Sequence, residues 1–310
     1  MALAWAAPSR LAGQGGLSTE GALFLLIPIG ARSVSMGQAV VASQGGSEGL
    51  WWNPASVARM TKSEVSISHS QSIVGTGDAL TYVRPAGRAG VFSLGAYLFT
   101  TGSQDATDFY GVVGTIYPRS LVYLASYAAT FGSRTSAGVS FKYLQDRLDC
   151  TCSIPTQSSS TNAIDAGVQV VADSARRLTF GLVVRNVGPR LQVRDVLQAD
   201  PLPTRVRLGA MYQVPGIAAQ VPDGELQVSA EAIVNGSIGA PAFATGGEFA
   251  YRKQFFLRAG FLSGNGDAAG AAVGLGFRRG GVAMDFSRSF GGFSADAGQP
   301  PTYLTLRFQF

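Results

Sequence analysis

The chain has 310 residues, of which 40 are glycine; 46 % are hydrophobic, only 14 % are charged, and the net charge is +5. Ordinary hydrophobicity with few charges excludes a disordered chain, which cannot bury enough apolar surface to fold, and the Glu, Lys and Leu bulk of a coiled coil is missing. One histidine (His69) and two cysteines (Cys150 and Cys152) are too few for a zinc or iron–sulfur centre, and the scattered arginines form no basic stripe with interleaved aromatics, so no metal, cofactor, catalytic residue or nucleic-acid partner is expected.

Residues 1–13 carry a short apolar stretch and small side chains but no basic leading region. They are read as a signal peptide whose true start lies upstream, with cleavage near Gly13. The apolar run Ala22–Ile29 contains Pro28 and is under half the length of a membrane-spanning helix, about 20 residues, and no other segment qualifies.

Residues 14–63 lack the alternation seen later and are read as a separate plug segment. They hold Gly30-Ala31-Arg32, then Met36-Gly37, small residues to Ala42, a Gly-rich turn, and Trp52-Asn53-Pro54-Ala55. Pro54 keeps Asn53 out of the helical region, so this last run reads as a turn with an aromatic anchor. Ala31 to Ala42 reads as a short helix packed by small side chains. Gly45-Gly46-Ser47-Glu48-Gly49 fits G-x-S-x-G, but a nucleophile elbow needs a strand before it and a helix after it. Neither is expected here, so the chain is not read as a hydrolase.

From residue 64 onward the pattern has period two. Val206, Leu208, Ala210, Tyr212 and Val214 fall on one face of a strand, with Arg205, Arg207, Gly209, Met211 and Gln213 on the other. That is the signature of a strand between an apolar and a polar environment. Similar segments lie near 64–70, 78–86, 90–100, 120–131, 136–147, 161–173, 178–187, 203–214, 224–235, 243–252, 254–263, 268–277, 280–289 and 302–310. Several approach the 9–11 residues, roughly, that cross a bilayer at a tilt. Short links alternate with long ones (101–119, 147–160, 188–202 and 290–301), as in transmembrane barrels with short periplasmic turns. The expected fold is therefore an all-β, antiparallel transmembrane barrel over 64–310.

With the apolar face toward lipid, the other face lines the lumen. It carries Lys142, Asp165, Arg185, Arg205, Arg207, Glu231, Glu248, Arg258, Asp285 and Arg307. Both signs occur, so ion pairs across the lumen are expected, since unpaired charge in a narrow barrel is costly. Such a barrel is wider than the roughly eight strands that side chains alone can fill, and the first sixty residues are the candidate filling. Cys150 and Cys152 sit in an expected external loop, where an oxidising compartment permits a disulfide that stiffens it.

The last strand places Leu304, Leu306, Phe308 and Phe310 on one face, and Tyr303, Thr305, Arg307 and Gln309 on the other. Ending on an aromatic, it resembles the C-terminal signal read by bacterial barrel-assembly machinery. The alternative, an edge strand of a soluble sheet, would be an aggregation hazard in water.

The motif Gly30-Ala31-Arg32, Met36-Gly37 and Trp52-Asn53-Pro54-Ala55 resembles the N-terminal signature of the PorV/PorQ family, within the FadL-like outer-membrane barrels. The match is specific over residues 29–58, and the short early strands depart from the family pattern. The resemblance implies a bacterial outer-membrane location and a fourteen-stranded barrel whose N-terminal segment enters the lumen. It implies an accessory or cargo-binding role in type IX protein secretion, with secreted cargo, other secretion or surface components, and outer-membrane lipid as partners. The external loops 101–119, 147–160 and 188–202 would then hold cargo, with Val193, Val196, Leu197 and Leu202 as contacts. The alternative is a FadL-like conduit for hydrophobic small molecules, gated by Arg32 and the Trp-Asn-Pro-Ala turn, although ten lumen charges line such a path poorly. A third reading is a structural outer-membrane subunit.

Overall fold

The computed structural model describes residues 20–152, 157–192, 199–235, 241–264, 269–291 and 297–310. Residues 1–13, read as a leader, and Val193, Val196 and Leu197 lie outside the described residues.

The wall consists of β1 (Glu64–Gln71), β2 (Thr76–Pro85), β3 (Val91–Thr100), β4 (Gly111–Phe131), β5 (Thr135–Cys150), β6 (Gln157–Val171) and β7 (Leu178–Val187), followed by β8 (Arg205–Val214), β9 (Gly224–Asn235), β10 (Ala242–Tyr251), β11 (Phe255–Leu262), β12 (Gly270–Arg279), β13 (Val282–Ser289) and β14 (Thr302–Gln309). Each pairs antiparallel with its sequence neighbours, and β14 returns to β1 in register from Glu64↔Gln309 to Gln71↔Thr302. The fold is thus a closed fourteen-stranded barrel. Closure leaves no strand edge to be satisfied by water, the condition for sheet to cross a bilayer.

Burial is inverted relative to a water-soluble protein. On β1, Ile67 is 51 % exposed while its neighbours Ser66 and Ser68 are 2 % and 7 % exposed. Leu80, Phe92, Leu94, Tyr123, Phe141 and Leu208 continue the exposed apolar surface around the wall, and the buried inward positions carry Ser, Thr and charged residues. A contiguous apolar exterior of this extent is unstable in water and matches the lipid-facing band of an outer-membrane barrel.

Two expectations are corrected. The links 101–119 and 147–160 are largely strand: Gln104–Asp108 pairs with Gly111–Ile116, and β4 and β5 stay paired out to Ile116↔Cys150. These ends project past Thr100, the last residue of β3, and, Ala106 apart, both of their faces are exposed or half-exposed. With no lipid on one side and no lumen on the other, no period-two hydrophobic signal marks them. The helix expected over Ala31–Ala42 stops at Ser35. Gly37 and Gln38 take φ of +59° and +64°, outside the right-handed helix, and the following carbonyls and N–H groups bond to the wall instead.

Candidate functional site: the plugged lumen

Residues 20–60 run through the barrel interior and pack on the wall in three apolar clusters, of which one is by far the largest. Phe24, Leu25, Leu50, Trp51, Trp52 and Val57 pack against Val83, Tyr97, Val122, Leu124, Leu144 and Ala163. Paired wall glycines bring this segment close to the sheet. Gly138 and Gly167 face each other across β5 and β6, and a Cβ on Gly138 would stand 2.5 Å from the Pro54 carbonyl carbon. Gly246 and Gly260 do the same across β10 and β11; a Cβ on Gly260 would stand 2.1 Å from the Gly37 nitrogen. Any side chain at these points would push the plug off the wall.

The Trp-Asn-Pro-Ala turn lies at the centre. The Asn53 side chain accepts from the Ala55 N–H at 3.0 Å, capping the turn Pro54–Val57, and donates to the Val41 carbonyl at 2.8 Å. Trp51 Nε1 donates to Thr81 Oγ1 and Trp52 Nε1 to the Ile29 carbonyl. Gln169 Nε2 reaches the carbonyls of Val41 (2.9 Å) and Ser43 (3.1 Å).

Charged side chains clamp the plug from the wall in two groups. In the first, Arg207 pairs with Glu231 (2.7 Å) and donates to the Gln38 carbonyl at 2.5 Å, while Glu231 accepts from the Val41 N–H. Arg207 and Arg185 also lie over the Trp52 ring, at 5.0 Å and 5.6 Å. Lys142 bonds Asp165 at 2.6 Å and Asn186 Oδ1 at 2.9 Å, and Arg205 forms a two-point pair with Glu20. In the second group, Arg32 pairs with Glu248 (2.9 Å), Glu248 with Arg258, Arg258 with Asp285 (2.7 Å) and Asp285 with Arg307 (2.5 Å). Arg307 then donates to the Gly45 carbonyl. The chain of alternating charges therefore starts and ends on the plug.

All ten residues assigned to the lumen face point inward. Arg185 is the least tied: Asp165 is 4.0 Å away, and Arg185 Nε has no hydrogen-bond partner among the described residues. Of the plug motif, Ala31 donates its N–H to Thr305 Oγ1, Met36 is fully buried, and Gly30 adopts φ +96° beside the Glu48 side chain. Ser47 of the G-x-S-x-G run lies in a 3₁₀ turn and donates to Glu64 Oε1 at 2.7 Å. His69 faces outward and pairs with Asp78. On β14, Leu304 and Phe308 are exposed, Leu306 is half-buried, and Phe310 follows the strand on the surface. A disulfide joins Cys150 and Cys152, with a Cα–Cα distance of 5.2 Å. Leu202, read as an exposed loop contact, is instead buried in the cluster with Phe24 and Leu25.

Sequence reasoning overlooked Glu20, Glu48, Glu64, Gln169 and Asn186. Glu64 shares the inward parity of Ser66 and Ser68, so alternation could have found it. Glu48 could not be found that way, because the plug has no period. Its Oε1 accepts from the N–H and hydroxyl of Ser33, at 2.6 Å and 2.5 Å, while Oε2 has no hydrogen-bond partner among the described residues. Burial pushes the Glu48 carboxyl above its usual range, with nearby Arg307 opposing the shift.

Two cavities lie on opposite sides of the plug and share no lining residue. The loop-side cavity, about 480 Å³, has apolar walls from Phe24–Ile29, Trp51 and Leu262 and a basic floor of Lys142, Arg185, Arg205 and Arg207. The periplasmic vestibule, about 350 Å³, is polar and lined by Arg32, Arg59, Glu64, Glu248, Arg258 and Arg307.

A closed fourteen-stranded wall, apolar outside and filled by its own N-terminal segment, defines a FadL-like barrel of the bacterial outer membrane. Solved structures share this fold. The Ralstonia pickettii toluene transporter TbuX aligns with a TM-score of 0.59 at 13 % identity, covering 91 % of this chain and 98 % of that one. The P. putida toluene transporter TodX gives 0.57 at 10 % identity, covering 91 % and 98 %, and a Pseudomonas aeruginosa FadL homologue gives 0.56 at 12 %, covering 92 % and 98 %. No curated protein matches the sequence. Residues 12–217 match the family of the type IX secretion system protein PorV, and the chain belongs to that family.

Proposed function

We propose that this barrel is an accessory of protein secretion that holds exported cargo, or a neighbouring secretion component, on its loop face. The carrying observation is a lumen blocked by a clamped plug beneath a stiff projecting arm. Phe109 and Tyr110, 96 % and 93 % exposed, stand at the tip of that arm between Gln104–Asp108 and β4. The arm is braced by the Cys150–Cys152 disulfide and by reciprocal bonds between Thr115 and Thr151. A preordered aromatic tip loses little conformational freedom on binding.

The loop-side cavity supports the second reading, a conduit for hydrophobic small molecules, in which the plug held by Arg32 and Asn53 would have to shift. Gentle purification from outer membranes, with mass spectrometry of co-purifying proteins and lipids, separates the readings. The secretion role expects exported proteins that share a C-terminal domain, and a loss of about thirty-fold or more in Phe109→Ser/Tyr110→Ser, as for hot-spot residues. A stoichiometric apolar small molecule without protein would favour the conduit, and a barrel that comes alone and empty would leave a structural subunit.

A further inference from the structure

The two ends of the barrel differ in charge. At the loop end, Asp105, Asp108, Asp146 and Asp149 crowd the projecting arms, where Arg119 and Arg147 are paired with Asp149. At the other end, every turn except the one after β8 carries or adjoins an arginine: Arg88, Arg134, Arg177 and Arg252 in turns, and Arg279 as the last residue of β12. The short turns make this the periplasmic end. The cations ring the circumference, which suits an annulus of lipid headgroups better than a protein touching one side.

The ring is densest at the ends of β10 to β13, where it meets an apolar groove on the lipid face. The groove runs between the ends of these strands and is lined by Tyr251, Phe255, Leu257, Leu275, Phe277 and Phe286. Phe255 and Phe277 pair across β11 and β12 with ring centroids 5.2 Å apart, the aromatic girdle that marks the membrane–water interface. Arg252 lies over the Tyr251 ring at 5.2 Å, and Arg279 follows Phe277 on the same face. Both cations therefore stand at headgroup height above a tail-sized apolar channel. Arg252 has an exposed carboxylate neighbour, Asp223, at 3.3 Å; exposed Arg279 has no ion pair among the described residues.

The β10–β11 turn adds an independent observation. Arg252 and Lys253 take φ of +53° and +54°, and Gln254 N–H closes the turn on the Tyr251 carbonyl. Such two-residue turns favour Asn-Gly because a Cβ is disfavoured there. Lys253 pairs with Glu225 at 3.1 Å, as Arg252 does with Asp223, yet all four side chains stay exposed or half-exposed, so the turn holds two long cations at the surface in a conformation that disfavours any side chain.

We propose that this corner of the barrel binds an anionic glycerophospholipid of the periplasmic leaflet, its phosphate between Arg252 and Arg279 and its acyl chains in the groove. Attraction of an anionic headgroup by cations at a membrane surface and burial of its chains against apolar side chains act together here.

The test is native mass spectrometry of the full chain in mild detergent with equal amounts of phosphatidylglycerol and phosphatidylcholine. Phosphatidylglycerol should be retained with a preference of about thirty-fold, the effect of two interfacial cations. Arg252→Gln/Arg279→Gln should lower it to near unity, while Arg134→Gln/Arg177→Gln, elsewhere on the ring, should keep it. Heat-modifiable gel mobility reports that each variant is folded. Leu275→Gln, which leaves the cations in place, should shorten lipid residence without changing the headgroup preference. Equal retention of the two lipids, or an unchanged preference in Arg252→Gln/Arg279→Gln, overturns the proposal. So does displacement by glycerol phosphate at matched concentration, which would assign a headgroup-only site. Capture of polyglutamate without lipid preference, lost in the same variant, would assign the cations to an acidic protein and also overturn it.

Discussion

Arg207→Ala tests whether the wall clamps the plug. Arg207 is 4 % exposed, shares its charge with Glu231, donates to the Gln38 carbonyl and covers Trp52. Removing it leaves Glu231 buried without its cation, still accepting from the Val41 N–H. Breaking a buried pair on one side costs about 3–5 kcal/mol, because the remaining charge stays desolvated. If that cost falls on the plug-docked state, the equilibrium for plug release shifts by roughly two to nearly four orders of magnitude. Arg207→Leu/Glu231→Leu removes both charges. It should recover much of the loss, less about 1–3 kcal/mol for the Val41 N–H left without an acceptor. Single-channel conductance in planar bilayers reads the outcome: frequent openings for Arg207→Ala, rarer ones for the double variant, and a closed parent. Limited proteolysis of residues 20–63 should follow the same order. Parent-like closure of Arg207→Ala, or a double variant more open than the single one, would refute the clamp.

The remaining predictions concern the same interior. Gly260→Val should dislodge Gly37 and Met36 from the wall, an overpacking cost of about 1–3 kcal/mol, seen as protease sensitivity of the plug with heat-modifiable mobility retained; an unchanged plug would remove the role assigned to the wall glycines. Asn53→Ala should cost about 1–2 kcal/mol through the lost cap on Ala55, while Gln169 still satisfies the Val41 carbonyl. Guanidinium unfolding should show the loss. For Glu48, burial holds the carboxyl above its usual range, so protonation favours the folded state. Its penalty is absent below the ordinary value and grows as pH rises through the raised one. Thermal unfolding from pH 4 to 8 should therefore show Glu48→Gln gaining on the parent toward high pH; a constant difference would contradict this.

The wall was readable because two immiscible environments flank each strand. Lipid outside and charge inside impose opposite chemistry on adjacent residues, so Leu208 and Arg207 announce the barrel without any partner in view. That contrast fades where neither lipid nor lumen flanks the strand, which is why the arms of β4 and β5 carry no strand signal in the sequence. The plug was recognisable as a motif, Gly30 to Ala55, but not as a geometry. Its backbone carbonyls at Gln38, Val41 and Gly45 are satisfied by Arg207, Gln169 and Arg307, partners distant in sequence for which the plug carries no period.

Alternation along the chain thus determined the class of fold, the inward charges and the membrane face. Which opposite charges meet, that Leu202 packs inside while Phe109 stands free, and that glycines on neighbouring strands align under the plug were decided by closure of the barrel. Closure brings β14 back to β1 and encloses the N-terminal segment. In that enclosed space a buried polar group without a partner is costly, and the three-dimensional path of the plug decides which partner is in reach.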